Sequence, residues 1–129
     1  MRALHLELGK RAENFAAAHV EKLGWQILSR NFTCRRGELD IVALDKQEKE
    51  LVVLEVRYRT IGQMQSPADS IGPKKLRSLV AAGRVYVEDA KWTGPWRIDL
   101  LGITASPHEP ENRWTLEHIR DITGGNFPV

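Results

Sequence analysis

The sequence predicts a single α/β domain in which a mixed β-sheet is flanked by helices. Two observations support this prediction. A helical apolar pattern opens the chain and is followed by three short apolar segments separated by turns. A second helical pattern then precedes one further apolar segment and a possible last one. Short links favour an antiparallel meander of the first three strands, and the second helix lets the next strand pair in parallel. The expected order is therefore αβββαβ, with a possible final strand.

Two segments carry the helical pattern. Apolar residues recur at helical spacing over residues 7–23, and Gly24 follows as a stop signal. A second apolar stripe runs over residues 74–88, directly after Pro73, which the start of a helix tolerates. Each helix therefore has an apolar face that can pack on a sheet.

The strands are predicted from short apolar or alternating segments bounded by turn residues. They cover residues 25–28, 38–44, 51–58 and 97–104, with a possible strand at 114–122. Residues 60–73 hold two glycines and two prolines, which indicates a loop. One domain is expected over residues 1–123, followed by a C-terminal tail at 124–129.

Composition excludes several classes of protein. The chain has 129 residues and is 42% apolar, which suits one domain with its own core. Neither a secretory signal nor a membrane-spanning stretch is visible, so we expect a cytoplasmic protein without a membrane partner. Cys34 is the single cysteine and the four histidines are scattered, which argues against a disulfide or a zinc site. A metal would need carboxylate ligands, which favour magnesium or manganese.

Basic residues are grouped, although the net charge is only +2. They flank one predicted turn, end one strand and decorate the second helix. The candidates for phosphate contacts are Arg35, Arg36, Arg59, Lys74, Lys75 and Arg77. A basic face is compatible with nucleic-acid binding, but a normally solvated surface accounts for these charges equally well.

Two carboxylates stand where the apolar pattern leaves no place for charge. Glu55 interrupts the run Leu51–Val56, which is typical of a central strand covered on both sides. Asp40 lies in the preceding strand, so the two side chains come within reach of one ion if the strands pair. Buried like charges need a metal or a shared proton. The alternative stays open that Asp40 caps a turn and that Glu55 pairs with a nearby arginine.

Several segments together resemble one protein family. They are the opening-helix segment Gly9-Lys10-Arg11-Ala12-Glu13, the run Gly37-Glu38-Leu39-Asp40-Ile41-Val42, the strand Leu54-Glu55-Val56-Arg57-Tyr58-Arg59, the helix start Pro73–Leu79 and the strand Arg97-Ile98-Asp99-Leu100-Leu101. In this order and spacing they resemble the YraN-like family of small bacterial proteins. That family is assigned to the restriction-endonuclease-like superfamily, with its PD-(D/E)xK active site.

The resemblance implies roles for the residues that match. Asp40 and Glu55 would be metal-binding catalytic carboxylates, and Glu13 a further acidic member of the site. Lys75 and the arginines would contact phosphates. The implied activity is phosphodiester hydrolysis with Mg²⁺ or Mn²⁺. The expected substrate class is nucleic acid, DNA in particular, including its branched or damaged forms. Superfamily members often dimerise, so a homodimer is compatible with the resemblance.

One position departs from the family pattern, because Arg57 stands where the family has its catalytic lysine. Arginine keeps the positive charge but cannot act as a base near neutral pH. Three interpretations stay open. Arg57 still stabilises charge; Lys75 substitutes from the helix; or the site is impaired and only binds nucleic acid. An interaction module with purely structural carboxylates is a further alternative.

Other polar and aromatic residues are expected to be structural. Asp99, between Ile98 and Leu100, is expected to make a structural hydrogen bond rather than to bind metal. Trp25 and Trp96 are expected to pack in the core, and His19 is expected to be a hydrogen-bonded interior residue.

Overall fold

The computed structural model describes residues 2–62, 66 and 68–124 of the chain. Its two long helices are α1 (Arg2–Lys22) and α2 (Pro73–Asp89). Its strands are β1 (Gln26–Cys34), β2 (Gly37–Asp45), β3 (Glu50–Thr60), β4 (Trp96–Ala105) and β5 (Thr115–Ile119), and short 3-10 turns cover Ala68–Ser70 and Glu111–Arg113. Among the described residues, no helix is long and apolar enough to cross a membrane.

The five strands form one mixed sheet in the order β1-β2-β3-β4-β5. All neighbouring pairs are antiparallel except β3 and β4, which are parallel because α2 connects them as a crossover. The predicted α/β class, the antiparallel meander, the parallel partner and the possible last strand are confirmed.

A helix covers each face of the sheet. Val52 and Leu54 of β3 pack in the cluster that α1 covers, whereas Leu51 and Val53 pack in the cluster that α2 covers. All four side chains are 1% exposed or less. The expectation of a central strand covered on both sides is therefore confirmed, and the charge of Glu55 has to be accommodated inside a layered core.

Several element boundaries differ from the prediction. Helix α1 begins at Arg2 rather than at residue 7, and β1 runs to Cys34 rather than ending at residue 28. The second half of β1 is rich in polar residues because most of its side chains are exposed or half-buried, so an apolar pattern could not reveal it. The last strand is shorter than 114–122. Residues 63–65 and 67 of the predicted loop, and residues 125–129 of the predicted tail, lie outside the described residues.

The aromatic expectations are met to different degrees. Trp25 is 7% exposed and belongs to the core cluster under α1. Trp96 is half-buried and packs at the margin of the cluster under α2. Its ring lies against Gly83, where an added Cβ would meet the ring at 2.5 Å. A glycine in the middle of α2 therefore lets the helix approach the start of β4 closely.

Candidate functional site

The site lies where β2 and β3 separate. Their backbone pairing ends at Ile41 and Leu54. One residue further on, Asp40 Oδ2 accepts a hydrogen bond of 2.8 Å from the backbone N–H of Val56. The Asp40 carboxylate thus takes the place of a strand partner, and it is held at the mouth of an opening between two strands.

The same separation interrupts the alternation of β2. In a regular strand Leu39 and Ile41 would share a face, because side chains two apart do so. Instead, Leu39 packs in the α2-side cluster and Ile41 in the α1-side cluster. The alternation breaks at Asp40, where β2 is no longer paired with β3. The carboxylate group is thereby placed between the two faces of the sheet.

Glu55 lies on the α2 side of the opening and is 4% exposed. Its Oε2 is 3.2 Å from Arg57 Nε and 3.5 Å from Lys75 Nζ. Burial, together with the charge of Asp40 and a hydrogen bond to it, raises the pKa of Glu55 to about 7, against the opposing effect of Lys75 and Arg57. The charge of Asp40 beside Glu55 therefore favours the protonated form of Glu55 as long as no cation compensates the two carboxylates.

Arg57 carries an unsatisfied donor. Its Nε is buried and has no hydrogen-bond partner among the described residues, although it lies close to Glu55. Buried donors are almost always satisfied, so an exception indicates a missing partner. A phosphate oxygen or an ordered water beside the carboxylate pair would satisfy it.

Lys75 joins the site from the first turn of α2. It is the second cation beside Glu55, and it comes from a different element than Arg57. The sequence offered Lys75 as a replacement for the family lysine, and its ammonium group lies 3.5 Å from Glu55 Oε2. A catalytic role for Lys75 stays a prediction.

Glu13 lies apart from this cluster. It is half-buried on α1 and borders, with Asp40, a cleft on the α1 side of the opening. Burial, and then the charges of Asp40 and Glu38, raise the pKa of Glu13, while Arg30 opposes them. Among the residues that the structure describes, no three His, Cys, Asp or Glu side chains are arranged to hold one ion. The carboxylate pair and Glu13 are thus neighbours rather than one ligand set.

The cleft on the α1 side has a volume of about 500 Å³. Sequence reasoning assigned no role to three of the residues that line it, Lys10, Asn31 and Tyr58. Asn31 has a φ of 56°, in the left-handed region, although it lies within β1. This conformation leaves no mark in the apolar pattern, so only a family motif containing Asn31 could have pointed to it.

The remaining basic candidates surround the α2 side at different exposures. Arg35, Arg36, Lys74 and Arg77 are exposed. The turn of Arg35 and Arg36 is fastened to α2, because Ser78 Oγ donates a hydrogen bond of 2.9 Å to the carbonyl oxygen of Arg36. Arg59 is half-buried and its Nε donates to Thr104 Oγ1 at 3.3 Å. Contact of these side chains with a phosphate stays a prediction.

The donor set fits a hard divalent ion. Two adjacent carboxylates suit Mg²⁺ or Mn²⁺, which commonly keep waters and take further oxygen ligands from phosphate. Arg57 and Lys75 lie beside the same carboxylate and supply the positive charge that a phosphate next to the ion would need. Asp40 and Glu55 would hold the ion, and Glu13 could contribute only from the neighbouring cleft.

Asp99 is structural, as expected. It is fully buried and accepts hydrogen bonds from Arg97 Nε and the backbone N–H of Asp121, both at 2.9 Å. Its Oδ2 is 2.8 Å from His118 Nε2, and His118 Nδ1 is 3.1 Å from His19 Nε2. Burial alone would raise the pKa of Asp99, but these hydrogen bonds together lower it. His19 is thus a hydrogen-bonded, half-buried residue, as predicted.

The mixed sheet, its crossover helix and the carboxylates at the separating strands define a restriction-endonuclease-like α/β domain. The sequence profile of the Uncharacterised protein family UPF0102 matches residues 12–103, and the chain belongs to this family. This agrees with the YraN-like resemblance of the motifs.

Relatives extend this similarity over nearly the whole chain. A UPF0102 protein of Nitrosococcus oceani is 33% identical over 92% of this chain and 95% of its own length. A UPF0102 protein of Flavobacterium johnsoniae is 36% identical over 92% of this chain and 95% of its own. A UPF0102 protein of Pseudomonas fluorescens is 36% identical over 85% and 90%. Their names state a family and no activity, so function is argued from the site.

Proposed function

We propose that the protein is a nuclease that hydrolyses phosphodiester bonds in nucleic acid, DNA in particular, with Mg²⁺ or Mn²⁺. The observation that carries the proposal is the Asp40–Glu55 pair, flanked by two cations from different elements. A buried pair of carboxylates costs stability unless something compensates it, and a divalent ion beside a phosphate would do so.

Each side chain then has a distinct task. Asp40 and Glu55 would hold the divalent ion, whose contribution would be a polarised phosphoryl oxygen and a more acidic water. Lys75 and Arg57 contact the phosphate and stabilise the negative charge that develops on its oxygens. Arg57 cannot take a proton from the water, because a guanidinium stays charged at neutral pH. The exposed basic residues of the α2 side position the backbone without reading its sequence.

A second candidate function is nucleic-acid binding without hydrolysis. It is favoured by one observation, that an arginine stands at the position of the family's lysine. This candidate keeps the phosphate contacts and predicts binding that weakens with salt. It differs from the first in predicting no cleavage with any metal.

The test is a cleavage assay with Mg²⁺ or Mn²⁺ on linear, flapped, bulged and four-way DNA and on RNA. Wild type should cleave at least one form, and Asp40→Asn and Lys75→Ala should each lower the rate by about a hundredfold or more. Glu48→Gln is the matched control, because Glu48 is an exposed acid in the turn at the other end of the β2–β3 hairpin.

Cleavage by the variant Arg57→Lys distinguishes the two candidate functions. If wild type is inactive and this variant cleaves, the native protein is an impaired site that binds nucleic acid. If neither cleaves any form and neither binds nucleic acid at low salt, both candidates are wrong, and the carboxylates are structural.

A further inference from the structure

The cleft on the α1 side has two unlike walls. Val56, Tyr58 and Leu6 provide an apolar wall, and Leu6 is 64% exposed although it borders the cleft. The polar lining residues are Lys10, Glu13, Asn31 and Asp40. The volume of about 500 Å³ lies within the range of pockets that bind small molecules. A nucleobase matches such a lining, since it joins flat apolar faces to an edge of hydrogen-bond donors and acceptors.

Gly9 shapes the apolar wall. It lies inside α1, where glycine costs about 1 kcal/mol relative to alanine. A Cβ at this position would lie 3.3 Å from the hydroxyl oxygen of Tyr58. The absence of a side chain therefore lets the tyrosine ring lie against the helix and keeps the cleft wide. A helix-interior glycine at a cleft indicates a packing or functional reason of this kind.

Asn31 shapes the polar wall. Its left-handed φ of 56° falls between the residues that pair with Ile41 and Leu39, so it lies across from Asp40. Such backbone is unusual within a strand and is found preferentially at functional sites. The exposed amide offers both a donor and acceptors, which are the groups needed to meet the edge of a base.

We propose that this cleft receives the base of one unpaired nucleotide whose phosphate lies at the Asp40–Glu55 pair. The inference rests on the proposed function and adds its substrate class, nucleic acid with an unpaired nucleotide next to the phosphate that is cut. Asp40 borders the cleft, and its Oδ2 accepts a hydrogen bond of 2.8 Å from the backbone N–H of Val56, the residue after Glu55, so one nucleotide can reach both places. A base inside a duplex is stacked on both sides and cannot enter, whereas an unpaired base leaves the stack at low cost.

The test measures binding with Ca²⁺ in place of Mg²⁺, to three labelled DNAs of equal length: a full duplex, a duplex with one bulged 2-aminopurine, and a single strand. We expect the bulged duplex and the single strand to bind about tenfold more tightly than the full duplex. The fluorescence of the bulged 2-aminopurine should fall on binding, because the base stacks on Tyr58.

Two variants probe the cleft by different means. Tyr58→Leu removes the ring, and Gly9→Ala moves it, so each should reduce the preference for the unpaired base at least threefold. An unfolding curve equal to that of wild type checks that each variant folds. If one of the two variants does not fold, the other alone is enough for the test. Arg77→Ala is the matched control, because loss of an exposed cation on the α2 side should weaken the binding of all three DNAs by the same factor.

The outcomes separate this inference from the proposed function. If all three DNAs bind equally, or if both cleft variants keep the preference, the inference is wrong while the proposed function stands. If no DNA and no corresponding RNA binds at low salt, the proposed function fails and this inference fails with it.

Discussion

At the scale of single residues, Glu55 shows most clearly a side chain whose place in the fold costs stability. Its carboxylate is 4% exposed and lies next to a second carboxylate, so its charge is unfavourable in the packed surroundings. Proteins keep such conflicts at sites where activity needs them, and their removal commonly raises stability. Without a bound cation, Glu55 should therefore lower the free energy of unfolding.

This cost gives a first prediction for the metal-free protein. The folded-state pKa of Glu55, about 7, lies above its ordinary value of 4.5. A group raised in this way contributes stability at low pH and loses it as the pH rises through about 7. Glu55→Gln should therefore raise the free energy of unfolding by about 1–3 kcal/mol at pH 8 and change it little at pH 5.

Urea unfolding with a chelator present, at both pH values, measures this effect. Glu48→Gln, at an exposed acid, should change neither value by more than about 0.5 kcal/mol. An equal loss of stability in Glu55→Gln at both pH values would mean that the ion pairs with Arg57 and Lys75 outweigh the cost of burial.

The charge of Glu55 could be recognised in the sequence because five apolar neighbours surround it. The position of Asp40 could not be worked out in the same way. It depends on where the pairing of β2 with β3 ends, and no local pattern encodes that point. The place of Tyr58 in the cleft could not be predicted for a similar reason, because its contact with Gly9 is between residues far apart in the chain.

At the scale of elements, the close approach of α2 to β4 depends on one glycine. An added Cβ at Gly83 would lie 2.5 Å and 2.7 Å from two ring carbons of Trp96. Trp96 lies at the margin of the cluster that packs under α2, and Gly83 is a buried residue of α2, the helix that also carries Lys75. The sequence predicted the helix and the strand from their patterns, but not this contact, because helical periodicity gives a face and not a distance.

A second prediction follows for Gly83→Ala. Alanine favours a helix by about 1 kcal/mol over glycine, but here the methyl group would push Trp96 away. Overpacking of this kind costs about 1–3 kcal/mol, so we expect a net loss of stability on urea unfolding. A double-mutant cycle with Trp96→Leu locates the cause. The loss should shrink in the Trp96→Leu background, and an unchanged loss would mean that the ring is not what the methyl meets.

At the scale of the whole molecule, a buried polar network ties the two ends of the chain together. Asp99 on β4 holds the backbone after β5 through Asp121, and His118 on β5 contacts His19 on α1. Arg97 pairs with both Asp99 and Glu50. The fold class and the order of elements followed from the sequence. This network did not, beyond the separate expectations for Asp99 and His19, because its partners come from four different elements.

The network gives a third prediction, for stability in acid. The pKa of Asp99 is lowered, so its contribution is present above the ordinary value of 3.8 and is lost as the pH falls through the folded-state value. The pKa of His19 is also lowered, by burial and then by His118 and Lys22, so stability begins to fall below about pH 6.5. In a Glu55→Gln background, which removes the opposite effect of Glu55, stability should therefore decline in two stages as the pH falls.

Urea unfolding between pH 8 and pH 3 resolves the two stages. His19→Gln should remove the first stage and Asp99→Asn the second. Glu55 is the group expected to oppose the effect of His19 in this pH range, and Glu55→Gln removes it. Stability of Glu55→Gln that still rises on acidification from pH 6.5 to pH 5 would contradict the assignment of the first stage to His19.

The central claim is that Asp40 and Glu55 together bind a divalent cation. Calorimetric titration of Mn²⁺ into wild type, Asp40→Asn and Glu48→Gln, with and without a bulged DNA, tests it most directly. We predict one binding site in wild type and in Glu48→Gln, strengthened by the DNA phosphate, and its loss in Asp40→Asn. No binding in wild type with DNA present, or equal binding in Asp40→Asn, would contradict the claim.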